Sequence, residues 1–277
     1  MDKREYSFYF VGTPIGNFEE MTFRAVDILK SVDEVWCEDT KHSMPLLAYY
    51  DIKKPLQSFH KYSDISKVEL LLEKLQSGIK IAYISDAGMP CISDPGLILS
   101  KELIKNNIDY TVISGASACL NALILSGLNI DNFYFVGFLK DKNKEKDEQI
   151  SKVKNLDCTL IFYSSVHNIE KDIFYLKEKL GDRQCAVVRE LTKLYEEVVR
   201  GKFSQIELTN IKGEYVICVQ GAGEEQNTLS VEDYLKESLQ YLDSKEAIKE
   251  TAKKYNLQKN EVYQMYVKIK NSSNKNN

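Results

Sequence analysis

The sequence predicts an α/β protein built from two successive blocks, with a short helical segment at its carboxy-terminal end. Three observations carry this. Short apolar runs alternate with helix-spaced apolar residues through the first half, loops of small residues follow those runs, and the alternation resumes after a charged interruption. Alternation of this kind indicates an open and largely parallel sheet.

Taken in order, residues 6–11 read as a strand, and Met21, Ala25, Ile28, Leu29 and Val32 follow helical spacing. Residues 35–37 are again strand-like, residues 70–75 belong to a helix, and residues 81–85 and 110–113 are further short apolar runs. The stretch KDKNKEKDE at residues 140–148 has no apolar residue and fits a mobile RNA contact or a solvated hinge between blocks, and its interleaved acids favour the hinge. Beyond it, residues 159–163 and 185–188 read as strands around a helix marked by Ile169, Ile173, Leu176 and Leu180. Residues 198–199 and 215–219 add strands, and Gly221-Ala222-Gly223 closes the block. Ser230-Val231-Glu232-Asp233 then resembles a capping box. Residues 245–255 and 259–270 read as two helices joined by Asn256-Leu257-Gln258, a helix-turn-helix-like arrangement. The expected boundaries are a first lobe at residues 1–115, a second at 116–225 and a lysine-rich helical segment at 226–277.

Composition narrows the class. No apolar run is long enough to span a bilayer, and the opening Met1-Asp2-Lys3-Arg4-Glu5 lacks the apolar stretch of a signal peptide, so a cytoplasmic protein without a membrane partner is expected. Six cysteines are spread along the chain without a C-x-x-C pair, which favours free thiols in a reduced compartment. Three histidines stand far apart, without metal-ligand spacing, so no metal is expected. Net charge is −4, yet residues 244–277 hold eight lysines against three acids. An acidic body with a basic end points to a polyanionic partner, or to nothing more than a solubilising end.

In a parallel sheet, ligands bind outside the carboxyl ends of the strands. Three loops qualify: Gly12-Thr13-Pro14-Ile15-Gly16-Asn17, Ser85-Asp86-Ala87-Gly88-Met89-Pro90 and Ser114-Gly115-Ala116-Ser117-Ala118. Small residues let the backbone approach a ligand, and Asp86 would accept hydrogen bonds from ribose hydroxyls or an amino group. A single glycine-containing loop is most simply a turn, but three that converge form a cofactor cleft. No G-x-x-x-x-G-K-[ST] is present and no G-x-G-x-x-G follows the first strand, which disfavours the common ATP and dinucleotide readings. The residues alone stop at an unidentified adenosine-like ligand.

Longer motifs go further. The stretch FVGTPIGNFEEMTFRAVDILKSVDEVWCEDTKHS (residues 10–43) resembles the opening of the bacterial 16S rRNA (cytidine-2′-O-)methyltransferases, which are of the tetrapyrrole-methylase-like class. SDAGMPCISDPG (85–96) and RELTKLYEEVVRG (189–201) are similar to two further signatures of that family, and the likeness spans essentially residues 6–270. The resemblance implies a two-lobed α/β fold with S-adenosylmethionine in the cleft between lobes, usually as a homodimer. It also implies a cytidine ribose in the RNA of the small ribosomal subunit as acceptor, with no DNA partner. Carried over by position, cofactor contacts come from Pro14, Asp86, Met89, Ser117 and Ala118, with Tyr163 and Leu191 from the second lobe. The chain departs from the family pattern at Ser114, where proline is common, at Ser164 and Asn168, where glutamate and arginine are expected, and at Lys41, where arginine is usual. Lys41 keeps the charge without the planar fork of arginine.

Transfer to a ribose oxygen needs positioning of the acceptor and removal of its proton. The candidates are Glu38 and Asp39 at a strand's carboxyl end, His60, and Glu190 with Lys193. The same acids also fit an ion-pairing role with Arg24, Lys41 or Arg189. Lys41, His60 and Lys61 are candidate RNA contacts, although the aromatics of Ser58-Phe59-His60-Lys61-Tyr62 also fit simple packing under the loop. Two other functions fit this sequence: a methyltransferase of the same fold acting on a tetrapyrrole or a protein, and a non-catalytic RNA-binding assembly protein.

Overall fold

The computed structural model describes residues 5–60, 65–209, 211–223, 231–255 and 257–273, with side chains to residue 270. Lys61, Ser230 and Asn256 lie outside the described residues. The chain divides into two compact units, Met1–Gly221 and Ala222–Asn277.

The first unit opens with a five-stranded sheet formed by β1 (Phe8–Val11), β2 (Glu34–Cys37), β3 (Leu56–Ser58), β4 (Ile81–Ile84) and β5 (Tyr110–Ile113). The order is β3-β2-β4-β1-β5 and every pairing is parallel. The central strands FYFV and IAYI are buried along their whole length, as expected when helices cover both faces. Their side chains alternate between two cores. Tyr9, Val11, Val35, Cys37, Ala82 and Ile84 meet Ala25 and Leu29 of α1 (Phe23–Ser31) and Leu47 of α2 (Thr40–Tyr49). Phe8, Phe10, Trp36, Ile81 and Tyr83 meet Leu71 and Leu75 of α3 (Ile65–Gln76) and Leu99 and Leu103 of α4 (Gly96–Lys105). Each fully buried leucine of this kind contributes roughly 1.5–3 kcal/mol.

Sequence signals set the helix starts. The Thr22 hydroxyl accepts from the Ala25 N–H at 3.1 Å to open α1, and the Asp39 carboxylate accepts from the Lys41 N–H at 2.8 Å to open α2. Ser117 caps α5 (Ala118–Ser126), and Gly127, with φ of 70°, ends it in the left-handed conformation.

The second sheet comprises β6 (Phe133–Phe138), β7 (Thr159–Ser165), β8 (Gln184–Arg189), β9 (Glu197–Lys202) and β10 (Glu214–Val219), in the order β6-β7-β10-β8-β9. Only β6 and β7 pair in parallel; the other pairings are antiparallel. One face packs on α6 (Asn143–Ser151) and α7 (Ile169–Leu180) through Ile150, Ile169, Leu176 and Leu180. The other face, with Ile161, Val188, Val216 and Cys218, packs on Cys119, Ala122 and Leu123 of α5 and also on Ile15 and Leu191. That last cluster joins a loop of the first sheet to the second.

One expectation is corrected. The charged stretch at 140–148 is not a hinge, since most of it is the first two turns of α6. Its alkyl and charged groups are used: the Lys146 ammonium lies 3.5 Å from the buried Asp172 carboxylate and 4.7 Å from the Tyr175 ring centre. Ser164, one of the positions that depart from the family pattern, donates to the same Asp172 at 2.7 Å.

In the second unit, α8 (Val231–Ser238), α9 (Ser244–Lys254) and α10 (Lys259–Ser273) close a small core of Leu235, Ala247, Ile248, Ala252 and Val262. The last two are the helices read from sequence as a helix-turn-helix. Among the described residues, no helix is long and apolar enough to cross a membrane.

Candidate active site

Because the first sheet is wholly parallel, the loops after β1, β2, β4 and β5 emerge at one edge. Three of them interlock. The Thr13 N–H donates to the Gly88 carbonyl at 2.9 Å and the Gly88 N–H donates back to the Thr13 carbonyl at 3.2 Å. At Gly12 and Gly115 the backbones touch: a Cβ on Gly12 would stand 2.7 Å from the Cα of Gly115, and one on Gly115 equally near the carbonyl carbon of Gly12. These two positions need glycine for closeness of approach. Gly88, with φ of 79°, needs it for conformation. Strain concentrates nearby, with Cys91 and Ser93 at φ of 72° and 68°, and Glu190 and Thr192 at 50° and 65°.

These loops and the near face of the second sheet enclose a cavity of about 290 Å³. Asp86 and Met89 line it from the loop after β4, Ser117 and Ala118 from the loop after β5, Tyr163 from β7 and Leu191 from the turn after β8. Six of the seven residues expected at the cofactor thus share one wall system. Pro14 is buried beside it and is not part of the lining, which its neighbour Ile15 supplies. Tyr163 is held edge-on by Phe135 and Phe138, with ring centres 4.9 and 5.5 Å away. Burial pushes its hydroxyl up to about 12, so it stays a protonated donor.

The charge of the cavity is one-sided. Glu38, Asp86, Asp94 and Glu214 line it, and among the described residues no lysine, arginine or histidine does. The Asp86 carboxylate accepts from the Asp39 N–H at 3.1 Å, which fixes it against the end of β2. Asp94 accepts from the Gly96 N–H at 2.6 Å through one oxygen, while its other oxygen is buried with no hydrogen bond. Burial raises the Asp94 carboxyl, against the pull of backbone N–H groups from Gly96, Cys91 and Ile92. Burial likewise raises Glu38, helped by the charges of Asp86, Asp94 and Asp39 and opposed by His42. Among the described residues no hydrogen bond or ion pair holds the Glu38 carboxylate. Glu38, Asp86 and Asp94, none of them paired with a cation among the described residues, suit a ligand that carries its own positive charge.

The remaining candidates lie apart. Asp39 is exposed and spends its carboxylate on the start of α2. Lys193 donates to Glu190 at 2.8 Å and reaches Glu214 at 3.2 Å, and Glu190 also accepts from the Glu214 N–H at 3.1 Å. Burial pushes Glu190 up, but Lys193 and that N–H, with the charge of Arg189, hold it below the ordinary carboxylate range. Lys193 is lowered by burial, yet Glu190 and Glu214 leave it above its ordinary value. A depressed acid bonded to an elevated ammonium holds a loop in place; of the two roles open to this pair, the geometry favours the structural one. Lys41 and His60 are exposed at the start of α2 and just after β3, while Phe59 is buried in the core. Sequence reasoning missed Asp94 and Glu214. The first lies in a segment quoted only as a family signature; the second enters the cavity only through the antiparallel pairing of β10.

A larger cavity of about 650 Å³ adjoins this one and shares Met89, Ile92 and Ser117 with it. It runs along β5 and β6 and is lined chiefly by apolar side chains such as Val112, Leu120, Phe133 and Phe135. Among the described residues no charged group lines it, so the smaller cavity is the chemical site.

A parallel sheet and a mixed sheet that share a carboxylate-lined cavity are the architecture of one class of methyltransferases. The chain belongs to the family of tetrapyrrole (corrin/porphyrin) methylases, whose profile matches residues 7–207. It is 40% identical over 271 residues to the ribosomal RNA small subunit methyltransferase I of Bacillus subtilis (strain 168), covering 93% of each chain. It is 38% identical over 273 residues to the ribosomal RNA small subunit methyltransferase I of Halalkalibacterium halodurans, again covering 93% of each. The crystal structure of a diphthine synthase superposes with a TM-score of 0.63 at 13% identity, over 77% of this chain and 89% of that one, a likeness of fold alone. The chain is thus a methyltransferase, and its methyl donor is S-adenosylmethionine.

Proposed function

We propose that this enzyme methylates the 2′-hydroxyl of a cytidine in the 16S RNA of the small ribosomal subunit. Its relatives that match over 93% of their length bear the name of small-subunit RNA methyltransferase, and this likeness carries the choice of substrate. S-adenosylmethionine supplies an activated methyl group on a sulfonium centre. Asp86, Met89, Ser117, Ala118, Tyr163 and Leu191 hold it, with Pro14 backing the loop; the donor set fits, because the carboxylates match its positive charge and the apolar walls its adenosine. The expected lobes at residues 1–115 and 116–225 close on it from two sides.

Glu38 is the proton acceptor for the ribose hydroxyl. It lines the cavity, nothing among the described residues occupies its carboxylate, and its raised pKa brings it nearer to neutral pH. Asp39, Glu190 and Lys193 support the site by capping and ion pairing. Lys41 and His60, exposed near the carboxyl edge of the first sheet, are the RNA contacts. Exposed Val112, Leu120, Ile124 and Phe133 form an apolar face along β5, α5 and β6 that a second copy of the chain covers in a homodimer. Six free thiols agree with a cytoplasmic setting.

Transfer of tritiated methyl from the donor to isolated small subunits, with uroporphyrinogen in a parallel reaction, tests the substrate. Label is expected in RNA, released on nuclease digestion as 2′-O-methylcytidine. Label in the porphyrinoid, or in neither, contradicts the reading.

A further inference from the structure

Charge is segregated in the second unit. Residues 222–243 hold six acids and one lysine, whereas residues 244–277 hold eight lysines and three acids. Lys245, Lys249 and Lys253 recur every four residues on α9, so they share one stripe of the helix, and all three are exposed. Lys259, Tyr263 and Lys270 form a second row on α10, also exposed. Glu246 and Glu250 stand three residues ahead of Lys249 and Lys253, yet no ion pair closes on any of these five lysines among the described residues. In the first unit, by contrast, Lys146, Lys179 and Lys193 are each bound to a carboxylate. Uncommitted ammonium groups beside an exposed aromatic ring are the pieces that a nucleic-acid strand engages, phosphates on the former and an unstacked base on the latter.

We propose that the lysine rows of α9 and α10 dock the backbone of single-stranded ribosomal RNA, with Tyr263 as a stacking surface. This rests on the substrate reading above and deepens it, because it gives the enzyme a second grip on RNA built from residues outside the methylase fold. Charge complementarity selects the occupant: an acidic protein partner would lack the aromatic stacking, and the salt dependence of binding separates the two.

The test uses the full chain carrying K245Q, K249Q and K253Q together, with a 16S RNA transcript in filter binding across a salt series. Affinity at about 0.1 M salt should fall roughly tenfold or more, and the slope of log affinity against log salt should shrink by about 2, near 0.7 for each lost phosphate contact. Y263A should weaken binding without changing the slope. K236Q, on acidic α8, should change neither, and calorimetry with S-adenosylmethionine should give wild-type affinity for all variants. An unchanged affinity and slope in the triple variant overturn the proposal, as does a wild-type chain that fails to bind the transcript. Filter binding involves no methyl transfer, so a wild-type enzyme that binds RNA through these lysines but labels a porphyrinoid would sink the substrate reading alone.

Discussion

Glu38 and Asp39 are adjacent in sequence and end in different chemistry. Asp39 caps α2, while Glu38 reaches the cavity and is raised by burial and by the carboxylates of Asp86, Asp94 and Asp39. The ionised form accepts the proton, so turnover should fall as pH drops through the raised value. E38Q should lose that acid limb and lower kcat by about a hundredfold or more, with donor affinity nearly unchanged. The linkage runs the other way for stability. A carboxyl raised on folding stabilises below its ordinary value, and that contribution is lost as pH rises through the raised one. The E38Q variant, neutral at this position, should therefore melt slightly higher than wild type at neutral pH. Thermal melts with a pH–rate profile check both, and a variant that keeps its rate or melts lower would remove Glu38 from the role. The acids at the end of β2 were legible in sequence because a strand's carboxyl end is where ligands sit. Which of the two enters the cavity was not, because it depends on α2 starting at Thr40, and TKHSMPLLAY carries an internal Pro45 that hides the helix.

At the scale of elements, four of the five strands of the first sheet were legible, most plainly β1 and β4, which are unbroken and fully buried apolar runs, whereas the short, half-buried LQS of β3 was not. Edge strand β6 was missed. Its FYFVGF exposes aromatics at both ends, and a register shift between Phe135 and Gly137 breaks the two-residue period. Helix α6 was missed because ion pairing and a ring face do the work that an apolar stripe does elsewhere. The three glycine-rich loops were found, but their contact was not. The meeting of Gly12 with Gly115 joins the ends of β1 and β5, and backbone on both sides leaves nothing to yield. G115A should cost about 1–3 kcal/mol, lowering the melting temperature by several degrees, and should weaken donor binding in calorimetry. An alanine tolerated without loss of either would mean that the loops are looser than their geometry indicates.

For the whole molecule, composition bounded little, and the three long motifs carried the functional reading. The physical core of that reading is a cavity at the carboxyl edge of a parallel sheet, closed by a mixed sheet and lined by Glu38, Asp86 and Asp94, which have no counter-cation among the described residues. A crystal structure with S-adenosylhomocysteine, the product of methyl transfer, tests it most directly. The nucleoside should lie between the loops after β1, β4 and β5 and the Tyr163 and Leu191 wall, with its sulfur toward the cavity that Glu38 lines. A nucleoside bound in the larger apolar groove along β5 and β6, or loops collapsed so that none can enter, would contradict the account.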